Sequence, residues 1–394
     1  MMNLSALAPV GNRIGFKRSN KEFGDLFPGY AVVKCASGTA ALALAIEQAK
    51  LNSNVQSPEA ILPAYGCPDL VAACIHAKVK PVLVDLAPNS PWMQLEQVND
   101  ALTDNTVAIL AVTFLGIKER LEDLRAIVAA RPITIIEDSA QWFPHLPNDS
   151  FESDLVVLSF GRGKPVSMTG GGALLGKHIS KSVSMRVNHG ETQKASLLDK
   201  LKYRAKATLF NIIVRPSIYG IFTRLPFLSI GETRYKSLDT INAMPSEIEL
   251  LLETNCKRFQ SRKDKSDRLS SILAQQKFKD AGIIDLGLYC GLTNDRHHLR
   301  FPILFATPSM RDECAERMTA KGLGASKMYG KALYRIEGVE SRASLHFVDN
   351  EAENFAKRIL TLPTHEFVSD KSLKQIEAVL SVVAHQYSSS ASLG

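Results

Sequence analysis

Between Ala31 and Leu175 the sequence alternates short runs of β-branched residues with amphipathic stretches, and this alternation constrains the fold more than any other feature. Strands that are continuous apolar runs are typical of a parallel sheet whose two faces are covered by helices. The predicted strands are AILP (60–63), PVLVD (81–85), VAILAV (107–112), ITIIED (133–138), DLVVLSF (154–160) and GALLG (172–176). This pattern predicts an α/β fold with a mostly parallel sheet flanked by helices.

The length of the chain predicts a second domain. With 394 residues and 45% hydrophobic content, the chain can bury more than one core. We expect a large domain over 1–245 and a smaller C-terminal α/β domain over 246–394. Within the smaller domain, residues 246–276 predict one long helix, and LRFPILFA (299–306) and ILTLP (359–363) predict strands.

Composition narrows the possible partners. The six cysteines have neither C-x-x-C nor Cys/His spacing, so we expect reduced thiols and no metal site. The net charge of +7 would suit an anionic ligand, a nucleic acid or a membrane surface, but 40 acidic residues are interspersed and there is no long basic run, so charge alone does not identify the partner. We expect no nucleic-acid partner. The N-terminus does not resemble a signal peptide and no apolar window would span a membrane, which favours a cytoplasmic protein.

Residues 197–229 differ from their surroundings and predict an insertion in the large domain. The segment mixes cationic and apolar residues and contains Pro216 and Pro226. We favour a helical excursion that packs on the body of the protein or on a second subunit. A weak contact with a membrane surface is the alternative, because such an amphipathic pattern also suits a lipid interface.

Three segments carry residues with chemical potential, and the first is the Ser-Gly-Thr sequence at 37–39. It follows a strand-like run and precedes a helix former. Free backbone N–H groups at a helix start, with a glycine that permits close approach, can bind phosphate. A capping motif without a ligand is the alternative.

The second segment ends at Asp138, the last residue of ITIIED. Open α/β sheets bind ligands at the carboxyl ends of their strands. A carboxylate there can pair with a protonated pyridine nitrogen and keep the ring an electron sink. An aspartate that caps the following turn is the alternative.

The third segment is Ser159-Phe160-Gly161-Arg162-Gly163-Lys164, which follows the strand DLVVLSF. A lysine just past a buried strand can project into a cleft and lose its proton. A neutral amine can form an imine with an aldehyde. A phosphate loop of the G-x-x-x-x-G-K-[ST] type is excluded, because Leu158 replaces its first glycine and Pro165 replaces its hydroxyl residue.

Taken in order, these pieces resemble the DegT/DnrJ/EryC1/StrS family of sugar aminotransferases, which are fold type I pyridoxal-phosphate enzymes. The resemblance covers most of the chain. Its motifs are SGTAAL (37–42), LPAYGCPDLVAACI (62–75), KPVLVDL (80–86), EDSAQ (137–141), SFGRGK (159–164), GGGALLG (170–176), MYGKALY (328–334) and AKRILTLPTH (356–365).

The resemblance implies a role for each matching residue. Gly38, Thr39 and Ser159 would hold the phosphate of pyridoxal 5'-phosphate. Asp138 would face the ring nitrogen, and Gln141 would lie near the ring hydroxyl. Lys164 would form the Schiff base and move the proton during catalysis.

The same resemblance implies the reaction and the assembly. Relatives that dehydrate sugars carry His where Lys164 stands, so the lysine indicates amino transfer. We expect an amino-acid donor, with glutamate favoured, and a nucleotide-linked keto-sugar as acceptor in polysaccharide or glycan biosynthesis. A homodimer is also implied.

Two departures from the family pattern concern the active site. Cys67 stands where the family usually has an aromatic ring stacked on the cofactor, and Tyr65 is a possible substitute. The usual G-x-N-y-R stretch, which in the family reaches into the partner's active site, is replaced by GETRY (231–235).

Two other functions stay open at this point. One keeps the cofactor but performs elimination, as a lyase or dehydratase, or aminates a carbonyl that is not on a sugar. The other is a non-catalytic or membrane-peripheral binding protein on the same fold.

Overall fold

A computed structural model describes residues 5–53, 55–144, 151–188, 197–222, 233–262, 265–292, 297–347 and 350–391. These residues form eleven strands: β1 (Ala31–Cys35), β2 (Glu59–Pro63), β3 (Lys80–Val84), β4 (Thr106–Val112), β5 (Thr134–Asp138), β6 (Leu155–Ser159), β7 (Gly172–Gly176), β8 (Ile283–Asp285), β9 (Arg300–Phe305), β10 (Ser344–Leu345) and β11 (Ile359–Pro363).

The described α-helices are α1 (Gly38–Ser53), α2 (Asp69–His76), α3 (Leu95–Ala101), α4 (Leu121–Val128), α5 (Lys181–Ser184), α6 (Leu197–Ile213), α7 (Pro216–Phe222), α8 (Ser246–Gln260), α9 (Ser266–Leu273), α10 (Gln276–Asp280), α11 (Leu286–Tyr289), α12 (Pro308–Ala320), α13 (Glu351–Arg358) and α14 (Asp370–Ala391).

The large sheet has the order β1-β7-β6-β5-β4-β2-β3-β10. Its strands pair in parallel except for β7, which runs antiparallel to both β1 and β6. All six strands predicted for this region are present, and the predicted α/β class with a mostly parallel sheet is confirmed. The central strands are apolar and buried along nearly their whole length, because helices cover both faces of the sheet.

The second sheet is smaller and antiparallel, with the order β11-β9-β8. The apolar runs predicted at 299–306 and 359–363 form β9 and β11, and helices α12 and α14 pack against this unit. The division at residues 245 and 246 stays a prediction. Helix α8, which follows it, packs its Ile248 and Leu252 into a core cluster with Phe23 and Phe160 of the N-terminal part.

The single long helix predicted over 246–276 is wrong. Helix α8 ends at Gln260, and the new helix α9 begins at Ser266. Ser261 closes α8 with its backbone N–H on the carbonyl of Lys257, and its hydroxyl donates to the carbonyl of Arg258. Paired charges continue through the break, so helical charge patterning alone did not reveal it.

The predicted insertion is helical where the structure describes it, in α6 and α7; residues 223–229 lie outside the described part. Helix α6 is held on one side: Asn211 exchanges hydrogen bonds with the backbone of Ile14, and the Tyr203 hydroxyl donates to the carbonyl of Met168. Its other side exposes apolar residues, among them Leu198 at 60% and Leu201 at 64%. Whether a second subunit or a membrane covers this side is untested.

Within the described part of the chain, no helix combines the length and the apolar character needed to cross a membrane.

Candidate active site

Three strands bring their last residues to one edge of the large sheet. Strand β4 ends at Val112, β5 at Asp138 and β6 at Ser159. Val112 is paired with Asp138, and Asp138 with Val157, so the three parallel strands end side by side. Ligands bind at this edge in open α/β sheets, because the carboxyl ends open into a crevice.

A cavity with an empty volume of about 460 Å³, part of it open to solvent, lies at this edge. All six residues singled out from the sequence line it: Gly38, Thr39, Asp138, Gln141, Ser159 and Lys164. Its wall also contains residues that the sequence did not single out: Leu42, Asp69, Leu70, Val112, Ala140 and Tyr329. Residues 126 positions apart in the chain thus share one pocket, although their individual roles stay predictions.

Gly38 begins α1 in a space too tight for a side chain. A Cβ at Gly38 would lie 2.6 Å from Ser159 Cβ and 2.7 Å from Ser159 Oγ. Strand β7 is equally close, since a Cβ at Gly172 would lie 2.4 Å from the backbone of Ser37. The glycines therefore let the start of α1 press against the ends of β6 and β7, where its free N–H groups can bind an anion.

Thr39 and Asp69 are joined across the first turns of α1 and α2. The Thr39 hydroxyl donates to Asp69 Oδ2 over 2.8 Å. Asp69 therefore adds a carboxylate to the wall of a pocket in which the resemblance predicts a phosphate. Sequence reasoning missed it because no pattern relates the two helices.

Asp138 is almost fully buried, with 8% of its surface exposed. Its Oδ1 accepts the backbone N–H of Ala140 over 3.0 Å. Burial raises the pKa of this carboxyl above its ordinary value, while the nearby Lys164 ammonium and the Ala140 N–H partly offset that rise. The carboxylate is thus costly to ionise alone and would gain from a second cation in the cavity.

Lys164 lies in the loop that connects β6 to β7. Gly163 before it has a φ of +73°, a conformation that favours glycine. The loop closes on itself: the N–H of Met168 donates to the carbonyl of Phe160 over 2.7 Å, and the Asn12 amide donates to the carbonyl of Pro165. The lysine is consequently presented to the cavity by a loop with defined backbone contacts.

Gln141 is fixed at both ends of its amide. Its Nε2 donates to the Tyr329 hydroxyl over 2.5 Å, and its Oε1 accepts the N–H of Leu115 over 3.2 Å. Tyr329 comes from the C-terminal part of the chain, where it follows Met328, a residue with a φ of +53°. Burial raises the pKa of Tyr329 well above its ordinary value, so its hydroxyl keeps its proton.

The cavity contains Cys67 but not Tyr65. The Tyr65 ring is buried and packs edge-on against Phe114, Tyr329 and Phe355, at centroid distances between 5.1 and 5.7 Å. Tyr65 therefore supports Tyr329 from behind. Tyr329 is the aromatic residue in the cavity wall.

The stretch GETRY is only partly described, since Gly231 and Glu232 lie outside the described residues. The Tyr235 ring packs within the same chain, 4.6 Å from the Arg342 guanidinium. Whether the GETRY stretch contacts the active site of a partner subunit, as the G-x-N-y-R stretch of the family does, therefore stays untested.

A comparison of the sequence with protein-family models finds the DegT/DnrJ/EryC1/StrS aminotransferase family over residues 16–213. This match covers half of the chain and includes all six predicted site residues. The chain belongs to this family.

Similarity to named members of the family is partial. A UDP-N-acetyl-3-dehydro-alpha-D-glucosamine 3-aminotransferase of Acidithiobacillus ferrooxidans is 27% identical over 168 residues, which are 41% of this chain and 44% of that protein. The chain matches less than half the length of such relatives, so their activities do not transfer by similarity alone.

Solved structures with the same fold cover nearly the whole chain. A Helicobacter pylori aminotransferase, PseC, described as acting in the biosynthesis of pseudoaminic acid, has a TM-score of 0.65 at 16% identity, covering 90% of this chain and 87% of that chain. An Escherichia coli GDP-4-keto-6-deoxy-D-mannose-3-dehydratase with bound hydrated PLP has a TM-score of 0.66 at 16% identity, covering 91% and 89%. At these identities the likeness shows the fold.

The cavity suits the cofactor that the family implies. The start of α1 offers N–H groups to a phosphate, and Lys164 offers an amine to an aldehyde. In the described part of the chain, Lys164 is the cation that acts on the buried Asp138 carboxyl. Among the described residues, no group of three or more His, Cys, Asp or Glu could hold a metal ion instead.

Proposed function

We propose that this protein is a pyridoxal-phosphate-dependent aminotransferase that moves an amino group from an amino acid to a nucleotide-linked keto-sugar. One observation carries the proposal: an amine (Lys164), a buried carboxylate (Asp138) and the glycine start of a helix (Gly38) line the same cavity. Each has a different chemical role toward one ligand. Separately, each would be explained by ordinary structural needs.

When bound, the cofactor supplies an aldehyde for the amino group and a ring that withdraws electrons from the carbon next to it. Lys164 holds the cofactor before the amino donor arrives. Its Nζ, when uncharged, would serve as the general base that accepts the proton from the α carbon of the donor and would later give that proton up. A lysine at this position thus serves both as tether and as general base.

Asp138 keeps the ring nitrogen protonated. At about 4 Å and an effective dielectric near 20, the attraction between the carboxylate and the ring cation is worth roughly 4 kcal/mol before desolvation. Burial raises the pKa of Asp138 in the absence of this cation, so the cation and the carboxylate stabilise each other's charged forms.

Gly38, Thr39 and Ser159 hold the phosphate. The N–H groups at the start of α1 and the hydroxyls of Thr39 and Ser159 donate to its oxygens. For Thr39 this requires its hydroxyl proton to turn away from Asp69, which accepts it in this structure. Gln141, whose amide is already oriented by Leu115 and Tyr329, contacts the ring hydroxyl.

Glutamate as donor and a nucleotide-linked keto-sugar in glycan synthesis as acceptor are the substrates we infer. The relative from A. ferrooxidans and the H. pylori neighbour support the acceptor class, since both are named as aminotransferases in sugar metabolism. A lysine at position 164 favours amino transfer over the elimination performed by the E. coli dehydratase.

We further propose that the protein acts in the cytoplasm as a homodimer. All six cysteines lie in the described part of the chain and are free thiols, which suits a reducing compartment. The exposed apolar side of α6, with Leu198 and Leu201, supports a subunit contact. If this side of α6 is the subunit contact, a Leu198→Ser/Leu201→Ser variant should sediment as a monomer. If the wild-type protein instead binds anionic vesicles and the variant does not, the exposed side of α6 contacts a membrane.

The experiment that tests the function follows the cofactor. Purified protein with added pyridoxal phosphate should show the visible absorption of a lysine-bound cofactor, and Lys164→Ala should abolish it. Addition of glutamate should convert the bound cofactor to its aminated form, and keto-sugar nucleotides should then gain an amino group by mass. A colourless wild type rejects the proposal, while release of a ketone without the aminated cofactor favours elimination.

A further inference from the structure

Arg300 lies beside the cavity without forming its wall. It begins β9 of the second sheet, and its Nη2 would be 3.9 Å from a Cβ at Gly163, the residue before Lys164. Its Nη1 lies 3.4 Å from the sulfur of Met328, the residue before Tyr329. Two neighbours of the cavity, one from the β6–β7 loop and one from the segment that follows α12, therefore flank this guanidinium.

Among the described residues, the polar contacts of Arg300 involve Nη1 and leave the other edge of the guanidinium without a hydrogen-bond partner. Nη1 donates to the Ser326 hydroxyl over 3.1 Å. Nε has no hydrogen-bond partner and is out of contact with solvent. The edge formed by Nε and Nη2 is the edge that takes a carboxylate with two parallel hydrogen bonds.

No carboxylate of the described residues forms an ion pair with Arg300. Two other arginines have one: the buried Arg311 contacts Asp312 at 2.9 Å, and the partly buried Arg120 contacts Glu119 at 3.3 Å. The titratable groups that act on Arg300 are the hydroxyls of Tyr65, Tyr219 and Tyr329, whose raised pKa values keep them neutral. Burial lowers the pKa of Arg300, as expected of a cation enclosed without an anion.

We propose that Arg300 binds the α-carboxylate of the amino donor through Nε and Nη2. The inference rests on the proposed function, because it assigns a subsite next to Lys164. In an α-amino acid, one carbon atom separates the amino nitrogen from the carboxylate, so the anion must lie close to the lysine that receives the amine. The phosphates of a nucleotide-sugar lie beyond the sugar ring and would reach a more open position.

Gly163 is part of this arrangement. Its φ of +73° already favours glycine, and a side chain there would enter the space between the lysine loop and the guanidinium. Ser326 fixes the opposite edge of the fork, which leaves the Nε side to the ligand.

The test compares Arg300→Gln and Arg300→Lys with a surface control, Arg317→Gln, whose partner Glu313 is on the same helix. Glutamate binding is followed by spectral titration of the cofactor-loaded protein. Binding of glutarate and of uridine diphosphate to the cofactor-free protein is followed by calorimetry. Thermal unfolding establishes that each variant is folded.

We expect Arg300→Gln to weaken glutamate and glutarate binding roughly 10- to 100-fold, the loss of a charge-assisted pair. Arg300→Lys should recover part of it, because an ammonium keeps the charge but not the fork. Binding of uridine diphosphate, and all binding by Arg317→Gln, should be unchanged.

Unchanged glutamate and glutarate binding in a folded Arg300→Gln variant overturns the inference. Weakened uridine diphosphate binding with unchanged glutamate binding overturns it as well, because Arg300 would then bind the nucleotide. Glutarate that fails to bind the wild type overturns it too. A wild type that binds glutarate but develops no cofactor absorption rejects the proposed function and leaves the carboxylate subsite in place.

Discussion

The Thr39 hydroxyl donates its proton to Asp69 Oδ2 over 2.8 Å, at the start of the helix that we propose binds the cofactor's phosphate. A carboxylate at this place repels a phosphate and competes for the hydroxyl. The arrangement holds Thr39 in a fixed rotamer before the ligand binds, at the cost of a negative charge in the wall of the pocket.

We therefore expect Asp69→Asn to bind pyridoxal phosphate more tightly than the wild type. The repulsion between two like charges about 8 Å apart, at an effective dielectric near 20, is about 2 kcal/mol, so removing the carboxylate charge is expected to raise the affinity by up to roughly thirtyfold. Fluorescence titration of the cofactor-free protein measures it. Asp104→Asn, in an exposed turn, is the control, and weaker binding by Asp69→Asn would show that Asp69 supports the site.

The contact of Gly38 with Ser159 predicts a stability effect independent of any ligand. A Cβ at position 38 would lie 2.6 Å from Ser159 Cβ, so Gly38→Ala forces α1 away from β6. We expect a loss of about 1–3 kcal/mol in the free energy of unfolding, measured by urea denaturation without cofactor.

The double variant Gly38→Ala/Ser159→Gly should regain part of that stability, because it removes the atoms in conflict. Gly24→Ala is the matched control, since its Cβ would meet only Val32 at 3.9 Å. Equal stability of Gly38→Ala and wild type would contradict the tight packing.

Much of the sheet could be predicted from local sequence, and six of the residues that line the pocket could be predicted from the resemblance to the family. The runs that became β4, β5 and β6 are apolar because helices cover both faces, and parallel strands end at a common edge. The resemblance to the family, and not the periodicity, placed Gly38, Asp138 and Ser159 around one cofactor.

The rest of the pocket depends on contacts between distant segments. Tyr329 reaches Gln141 across 188 positions, from a turn in which Met328 has a positive φ. Arg300 follows no pattern that relates it to Lys164, and the break between α8 and α9 lies within continuous charge patterning. Packing between segments that are distant in the chain determines these contacts and this helix break, and the periodicity of the sequence does not reveal them.

The raised pKa of the Cys67 thiol predicts that this cysteine, which lines the cavity, reacts slowly with alkylating reagents. Burial raises its pKa to about 12, and the nearby Asp69 carboxylate acts in the same direction. At pH 8 only about one thiol in ten thousand is then a thiolate, the reactive form.

We expect iodoacetamide to modify Cys67 far more slowly in the folded, cofactor-free protein than in the protein unfolded by guanidinium. Peptide mass spectrometry over time measures the rate at this residue. Rapid alkylation in the folded state would mean that the Lys164 ammonium, which lowers the pKa of this thiol, outweighs burial and Asp69.

Because the pKa of Asp138 is raised, replacing this residue is expected to change stability and catalysis in opposite directions. Because burial is the main cause, the folded protein holds a proton on this carboxyl more tightly than the unfolded chain does. Stability is then lost as the pH rises from about 4, the ordinary value, through the folded pKa. Asp138→Asn has no proton to release, so its cofactor-free form should become more stable relative to the wild type over that pH range.

The same variant should lose function, because an uncharged amide cannot form an ion pair with a protonated ring nitrogen. We expect its rate of amino transfer from glutamate to fall roughly a hundredfold or more. Glu137→Gln is the matched control: Glu137 is also buried with a raised pKa, but the hydroxyls of Thr113 and Ser139 bind it and it does not line the cavity. If Asp138→Asn unfolded more easily than the wild type at neutral pH and kept its activity, the carboxylate would be structural. If Asp138 serves the cofactor and not the fold, the Asp138→Asn variant should be more stable than the wild type and inactive.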